Sequence, residues 1–483
     1  MRRIQGISCA VWVAACTPMV ALHAQTTNPF TAPPKLATAR PLVLPTIVER
    51  TLPNGLRLVI VEQHELPMID VALVVRNGSE AEPIGKSGLA TLTAGLLAEG
   101  AASRDAFAIA EQIAYLAIRL DAGSGFDQST IRVHSSIATL DSAMALMTDL
   151  ALRPTFPEKS FAQQKSARLT TLLQEADRTP EMADRAFAAL VFGENHPYGR
   201  SPRGTREDVE TITRDDVAAF WKTWYRPNNA TLVMVGDISI AVAVKRATAA
   251  FGSWRRAELP VLAKRAPVVA AATTIYVVDK AKAPQSSFRL GAIGVARNTK
   301  DFYPLMVMNT ALGGSFTSRL NQNLRETKAY SYGASSSFTM RREPGAFTSR
   351  AEVVAAKTDS SLIEFMKELT SIREPLPPAE LAKVKKYLQL GYAERFESTA
   401  DIAGQIAALI PSGIPLSSLG RFNAAVGAVS GTDVQRVAKQ YVDPNKMVIV
   451  VAGDRASIEA ALKATTIAPV QIVDSRGRRL PTP

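Results

Sequence analysis

The stretch Gly88-Leu-Ala-Thr-Leu-Thr-Ala-Gly-Leu-Leu-Ala-Glu-Gly100 is the one around which the chain is organised. Leu89, Leu92 and Leu96 recur at steps of three and four, which predicts a short helix with one buried stripe. The other side carries Thr91, Ala94, Gly95 and Ala98. Positions 91, 94 and 95 stand in the i, i+3, i+4 relation by which a helix brings two imidazoles and a carboxylate to a zinc ion and its water. A hydroxyl, a methyl group and a bare backbone cannot do that work. Gly95 points the same way, because a glycine inside a helix costs about 1 kcal/mol relative to alanine and no metal ligand requires it.

A relocated zinc site would need histidines close together, and the chain has only His23, His64, His134 and His196, none paired at i, i+4. His196, which opens His196-Pro-Tyr-Gly-Arg200, is a catalytic candidate by residue type; His64 and His134 read as surface or packing residues.

Upstream of the helix, Leu52-Pro-Asn-Gly-Leu56 carries an Asn-Gly turn, followed by the alternating strand Leu56 to Ile60 and a second strand from Ile69 to Val75. Downstream, periodicity predicts helices near 104–117, 139–151, 158–176 and 180–192, with a strand from Ser129 to Ser135 between the first two. A helix from Arg214 to Trp224 then feeds a strand from Thr231 to Val235. This closing unit is repeated. Asp216-Val217, Pro227-Asn228 and Gly236-Asp237 return as Asp433-Val434, Pro444-Asn445 and Gly453-Asp454, each 217 residues later.

Tandem copies of one helix–strand domain explain the constant offset. Residues 46–254 and 273–466 are the two copies, 255–272 is a linker rich in Arg, Lys, Ala, Val and Pro, and 467–483 is a loose tail. The second copy shows strands at 274–278 and 287–293 and helices at 302–312, 358–371, 378–395 and 400–409. The expected fold is α+β: two tandem homologous domains, each a mainly antiparallel sheet with helices packed on one face.

With 483 residues, 47% hydrophobic and 21% charged, the chain can bury large cores. Arg2 and Arg3, an apolar run from Ile7 to Leu22, and His23-Ala24-Gln25 read as a secretory signal, residues 1–24, cut after Ala24. This implies a periplasmic or secreted protein, with a Thr/Pro/Ala-rich lead-in over 25–45 and no transmembrane span. Both cysteines, Cys9 and Cys16, fall in the signal, so the mature chain has no disulfide. Val13-Ala14-Ala15-Cys16 resembles a lipoprotein cleavage box, but the sequence stays apolar through Leu22, which argues against a lipid anchor at Cys16. The formal charge of +12 is spread along the chain without a basic cluster or aromatic-interleaved run, which excludes a nucleic-acid-binding motif.

The quoted stretch resembles the segment G-L-A-H-x-x-E-H-x-L-x-x-G of the pitrilysin/insulinase-type peptidases, which carry an inverted zinc motif. On that pattern Thr91 and Gly95 stand at the two histidine positions, Ala94 at the catalytic glutamate, and Leu172 at the third ligand. Each metal-site position is vacant, so the resemblance implies no metal or other cofactor in this chain. For His196 the resemblance implies a structural loop. Asn323-Leu-Arg-Glu-Thr-Lys-Ala-Tyr-Ser-Tyr332 resembles the family's second substrate-binding segment, with Ala329-Tyr330 in place of the usual Gly-Leu.

There the resemblance implies that Arg325 and Tyr332 orient the substrate backbone and polarise the scissile carbonyl, with Gly313-Gly314 in a substrate-lining loop. Residue chemistry alone gives a plainer alternative, in which Arg325 pairs with a local acid and Tyr332 packs in a core.

In this family two-domain chains commonly pair, one with zinc and one without, around an unfolded peptide. The resemblance thus implies the non-catalytic subunit of a heterodimeric peptide-degrading endopeptidase, with zinc in a homologous partner. Two alternatives are a peptide-binding or scaffold protein without proteolytic role, and a peptidase acting alone through retained zinc.

Overall fold

The computed structural model describes residues 43–480, and the expected signal, both cysteines and nearly all of the lead-in lie outside them. In the first half the strands are β1 (Ile47–Thr51), β2 (Arg57–Glu62), β3 (Met68–Val75), the short pair β4 (Gly100–Ala101) and β5 (Arg104–Asp105), β6 (Arg119–Ser124), β7 (Ser129–Ser136) and β8 (Ala230–Gly236). Six form a sheet in the order β1-β2-β8-β3-β7-β6, antiparallel except where β2 runs parallel to β8. The second half supplies β9 (Thr274–Asp279), β10 (Gln285–Ile293), β11 (Ser331–Phe338), β12 (Ala346–Val354), β13 (Val448–Gly453) and β14 (Val470–Val473).

These six strands repeat the plan. Read from the other edge the order is β14-β9-β13-β10-β12-β11, with β9 in the place of β2 and β10 in the place of β3. The α+β reading with two homologous halves therefore stands. The edge strands differ: β1 precedes its sheet in sequence and pairs antiparallel, whereas β14 comes last and pairs parallel with β9. The tail expected to be loose after Ile467 thus supplies an edge strand, its Val473 buried against the sheet.

The helices of the first half are α1 (Leu89–Leu96), α2 (Ala106–Tyr115), α3 (Leu140–Leu152), α4 (Glu158–Glu175), α5 (Thr179–Phe192), α6 (Arg206–Thr211), α7 (Arg214–Trp224) and α8 (Ile240–Phe251). Those of the second half are α9 (Phe302–Leu312), α10 (Arg319–Asn321), α11 (Thr358–Ser371), α12 (Pro378–Leu390), α13 (Thr399–Leu409), α14 (Ser418–Ala428), α15 (Gly431–Tyr441) and α16 (Arg455–Ala464). Capping boxes start both repeat helices: Thr213 and Asp216 at α7, Ser430 and Asp433 at α15.

Central strands are apolar on both faces, so each sheet must be covered twice. Leu58, Ile60, Leu73, Leu232 and Met234 face the core beneath α1, α3, α7 and α8. Their neighbours Val59, Val61, Ala72, Val74, Val233 and Val235 face the other way. What covers that second face is α13, from the other half, with Ile402, Ala403, Ile406 and Leu409 buried against it.

The exchange is reciprocal. Met182, Ala183, Ala186, Phe187 and Val191 of α5 cover Val278, Val448, Val450 and Ala452 of the second sheet. Gly291 on β10 makes room: a Cβ there would stand 1.9 Å from the Phe347 carbonyl oxygen and 3.1 Å from the Phe187 ring. The expectation of helices on one face holds for each half's own helices only; the opposite face is closed by the sister half.

Polar latches reinforce the exchange. Buried Arg289 of β10 meets Asp184 of α5 at 2.5 Å and Glu352 at 3.0 Å, and the Thr399 hydroxyl donates to Asp70 at 2.6 Å. Arg342 donates to Glu80 and to the carbonyls of Arg76, Asp127 and Pro411. No helix among the described residues is long and apolar enough to cross a membrane.

Candidate functional site

Helix α1 starts at Gly88, whose φ of 99° is a left-handed conformation that glycine adopts without strain. A Cβ at Gly88 would also stand 2.9 Å from the Arg203 carbonyl. The buried Glu82 carboxyl caps this start, accepting from the Gly88 and Ala90 amides at 3.2 and 2.8 Å. Burial pushes that carboxyl up to about 8 against the pull of those amides and of Arg200.

Leu89, Leu92 and Leu96 are buried as the periodicity predicts. Of the degenerate positions, Thr91 is half-buried, Gly95 is exposed with nothing within 4 Å of a built Cβ, and Ala94 is fully buried, turned further inward than the sequence suggests. Leu172 of α4 is buried in the same apolar core as the three leucines.

An arginine occupies the face that would hold a metal. Arg168, one turn before Leu172 on α4, donates from Nη1 to the Thr91 hydroxyl at 2.9 Å and to the Arg203 carbonyl at 3.0 Å. Thr91 in turn donates to the Pro202 carbonyl at 2.9 Å or its own-turn Gly88 carbonyl at 3.0 Å. A zinc ion needs nitrogen, sulfur or carboxylate donors and is repelled by a guanidinium. The donor set is one hydroxyl beside a cation, and it does not fit zinc. Among the described residues no three His, Cys, Asp or Glu side chains gather as a metal site.

His196 accepts from the Tyr198 amide at 3.0 Å and stacks on Phe192, and burial lowers its pKa, so it is a neutral structural residue. His134 on β7 bonds to Asp70 across from it on β3 at 3.0 Å, and His64, in the loop after β2, bonds to Asp237 at 2.7 Å.

In the second half, Gly313 and Gly314 end α9, both amides donating to the Asn309 carbonyl. Gly313 lies so close to β11 that a Cβ would be 2.2 Å from the Ser336 amide nitrogen, a packing reason for glycine there. After α10 the chain widens into a π-helical turn, Gln322–Thr327, a distortion that redirects side chains and recurs at functional sites. Asn323 ties the turn to Glu364 and Glu368 of α11, and Arg319 forks onto Glu380 of α12 at 2.9 and 2.7 Å.

Arg325 sits on that turn, partly exposed, over the Phe316 ring at 4.6 Å and beside Glu326 at 3.3 Å. Tyr332 lies where the pairing of β11 slips between Ser331 and Ala334, and it is 91% exposed. The core-packed alternative for Tyr332 is thereby removed, whereas the local-acid alternative for Arg325 is met in part by Glu326. The two side chains share one short, anchored segment, and no hydrogen bond joins them among the described residues. Phe316, 60% exposed, completes an open aromatic–guanidinium patch.

Two similar sheet-and-helix halves, the first with a helix that lacks the inverted-motif ligands, define a peptidase-like scaffold without the zinc-site residues. The sequence models agree: residues 57–200 match "Insulinase (Peptidase family M16)" and residues 211–388 match "Peptidase M16 inactive domain", together about two thirds of the chain. The chain belongs to this insulinase-type family.

It is 26% identical over 306 residues to an uncharacterized zinc protease of Mycobacterium leprae, covering 62% of this chain and 68% of that one. It is 23% identical over 403 residues to a probable mitochondrial-processing peptidase subunit beta of Arabidopsis thaliana, covering 81% and 75%. Its fold superposes with a TM-score of 0.79 on a peptidase M16 inactive domain from Pseudomonas fluorescens, at 26% identity, covering 84% of this chain and 98% of that one.

Proposed function

We propose that this chain is the non-catalytic subunit of a heterodimeric, zinc-dependent, peptide-degrading endopeptidase of the cell envelope, and that it lends Arg325 and Tyr332 to a homologous partner that bears the metal. One observation carries the reading: the metal face is filled by Arg168, while the Arg325–Tyr332 segment is left open on an anchored turn. Guanidinium and phenol donors aimed at an oxygen that gains charge stabilise a tetrahedral intermediate, and they need not belong to the chain holding the metal. The Tyr332 hydroxyl makes no hydrogen bond among the described residues, so its use is sought in what docks there. Support for a two-chain enzyme comes from the Arabidopsis relative, itself described as a subunit, and support for the envelope from the signal-like leader.

The test is co-expression with a homologous chain carrying an intact H-x-x-E-H motif. A one-to-one complex is expected, and Arg325→Ala or Tyr332→Phe should lower joint turnover about 10²-fold, the usual effect of losing one such donor. Unchanged turnover in both variants rejects catalysis in trans. Stable assembly with non-peptidase proteins only, indifferent to chelators, favours the scaffold alternative.

A further inference from the structure

The cleft over α1 retains a volume of about 650 Å³, within the range of small-ligand sites. Four arginines reach it, Arg168, Arg185, Arg200 and Arg203, against three carboxylates, Glu175, Glu181 and Asp184. Each carboxylate is already engaged: Glu175 by Arg203, Glu181 by Arg178 at 2.8 Å, and Asp184 by buried Arg289 at 2.5 Å.

Of the four cations only Arg203 has such a partner among the described residues. Arg168 bonds to a hydroxyl and a carbonyl; Arg200 donates to the Pro83 and Glu82 carbonyls at 3.0 and 3.2 Å, with its Nε buried and unbonded. Arg185 makes no hydrogen bond or ion pair among the described residues.

Among the described residues, three guanidinium groups therefore line one concavity with no carboxylate in ion-pair contact; Glu175 and Asp208 attract Arg168 and Arg200 only from beyond that range. The Glu82 carboxyl, whose charge would serve Arg168 and Arg200, is pushed up to about 8 by burial and is largely neutral at pH 7. Burial, and then the Arg203 cation, lower the pKa of Arg168. The ligand that relieves this arrangement is an anion. A planar carboxylate fits best, because it takes two parallel N–H bonds from one guanidinium. Phe126, Ala188 and Pro202 give the cleft apolar walls suited to the rest of a peptide.

We propose that this cleft, in place of a metal, binds a peptide carboxylate through Arg168, Arg185 and Arg200. The carboxylate is either the chain end of a peptide or an Asp or Glu side chain. Binding belongs to this chain alone and does not depend on a catalytic partner.

Fluorescence anisotropy on the full chain at low ionic strength tests it with three dye-labelled nonapeptides of otherwise uncharged residues: one with a free C-terminal acid, one amidated, and one amidated with a single central Glu. At least one acidic peptide should bind about tenfold or more tightly than the neutral amide. Binding of the free acid alone identifies the chain end, and equal binding of the Glu peptide identifies the side chain; both uphold the proposal. Arg168→Gln and Arg185→Gln should each weaken that binding about tenfold, the lower end of what one hydrogen bond to a charged group contributes. Arg185→Gln breaks no bond among the described residues and so guards against a folding artefact. Equal affinity for the neutral amide, no binding of any peptide, or wild-type affinity in both variants would overturn it.

Discussion

Phe187→Ala tests whether the two halves are one folding unit. Phe187 belongs by sequence to the first half, yet its ring packs on the second sheet over Gly291 and is 6% exposed. Emptying such a site costs about 3–5 kcal/mol. For the about 440 described residues at ~2.1 cal/mol/K each, the unfolding entropy is near 0.9 kcal/mol/K, so the thermal midpoint should fall by roughly 3–6 °C. Trp221, Trp224 and Trp254 are the tryptophans of the described residues, and all lie in the first core, away from the deleted ring. Their fluorescence should nonetheless shift with the far-UV circular dichroism by the same amount, because removing the cover from the second sheet also loosens α13 from the first. A fluorescence transition left at the wild-type midpoint beside an earlier dichroism transition would refute the reciprocal covering.

Other outcomes follow from single groups. Glu82 is protonated when folded up to about pH 8 but ionised when unfolded above its ordinary range, so stability should fall as pH rises between about 5 and 8; Glu80, pushed up to about 7 by burial, adds the same sign. Glu82→Gln keeps the acceptor for the α1 amides and should remove the larger part of that slope, on the order of a few kcal/mol across the window; urea midpoints at pH 5, 6.5 and 8 measure it, and an unchanged slope contradicts it. Arg342→Ala strips Glu80 of its cation and three carbonyls of a donor, and should destabilise by about 2–4 kcal/mol in the same melts. Metal analysis of the dialysed chain should find far less than one zinc per molecule; one retained equivalent would contradict the role given to Arg168.

Much of the fold was legible because strands with two apolar faces and helices with one leave different periods in the sequence. The 217-residue offset, read from the closing helix and strand, also relates β2 to β9 and β3 to β10. Strands β6, β11 and β12 escaped because serine, threonine and arginine interrupt their alternation. No local pattern says that α5 and α13 cross over, since an apolar stripe on a helix does not name the sheet it will cover.

At the site, counting to Leu172 pointed to α4, and the side chain of that helix that meets Thr91 is Arg168. Arg168 stands four residues earlier on the same face, and an arginine at that spacing from a vacated ligand position was the available signal. The cationic cleft was invisible because its arginines come from α4, α5 and the loop after Tyr198, and only the fold brings them together.

The exchange of α5 and α13 changes what the linker is for. Residues 255–272 carry no regular secondary structure, while each half keeps the other's sheet dry. A protease nick in that segment should release nothing: the two pieces would stay interlocked, as in a swapped dimer whose protomers happen to be fused. The tether then serves the newborn chain, raising the local concentration of each half for the other, and becomes dispensable once they have clasped.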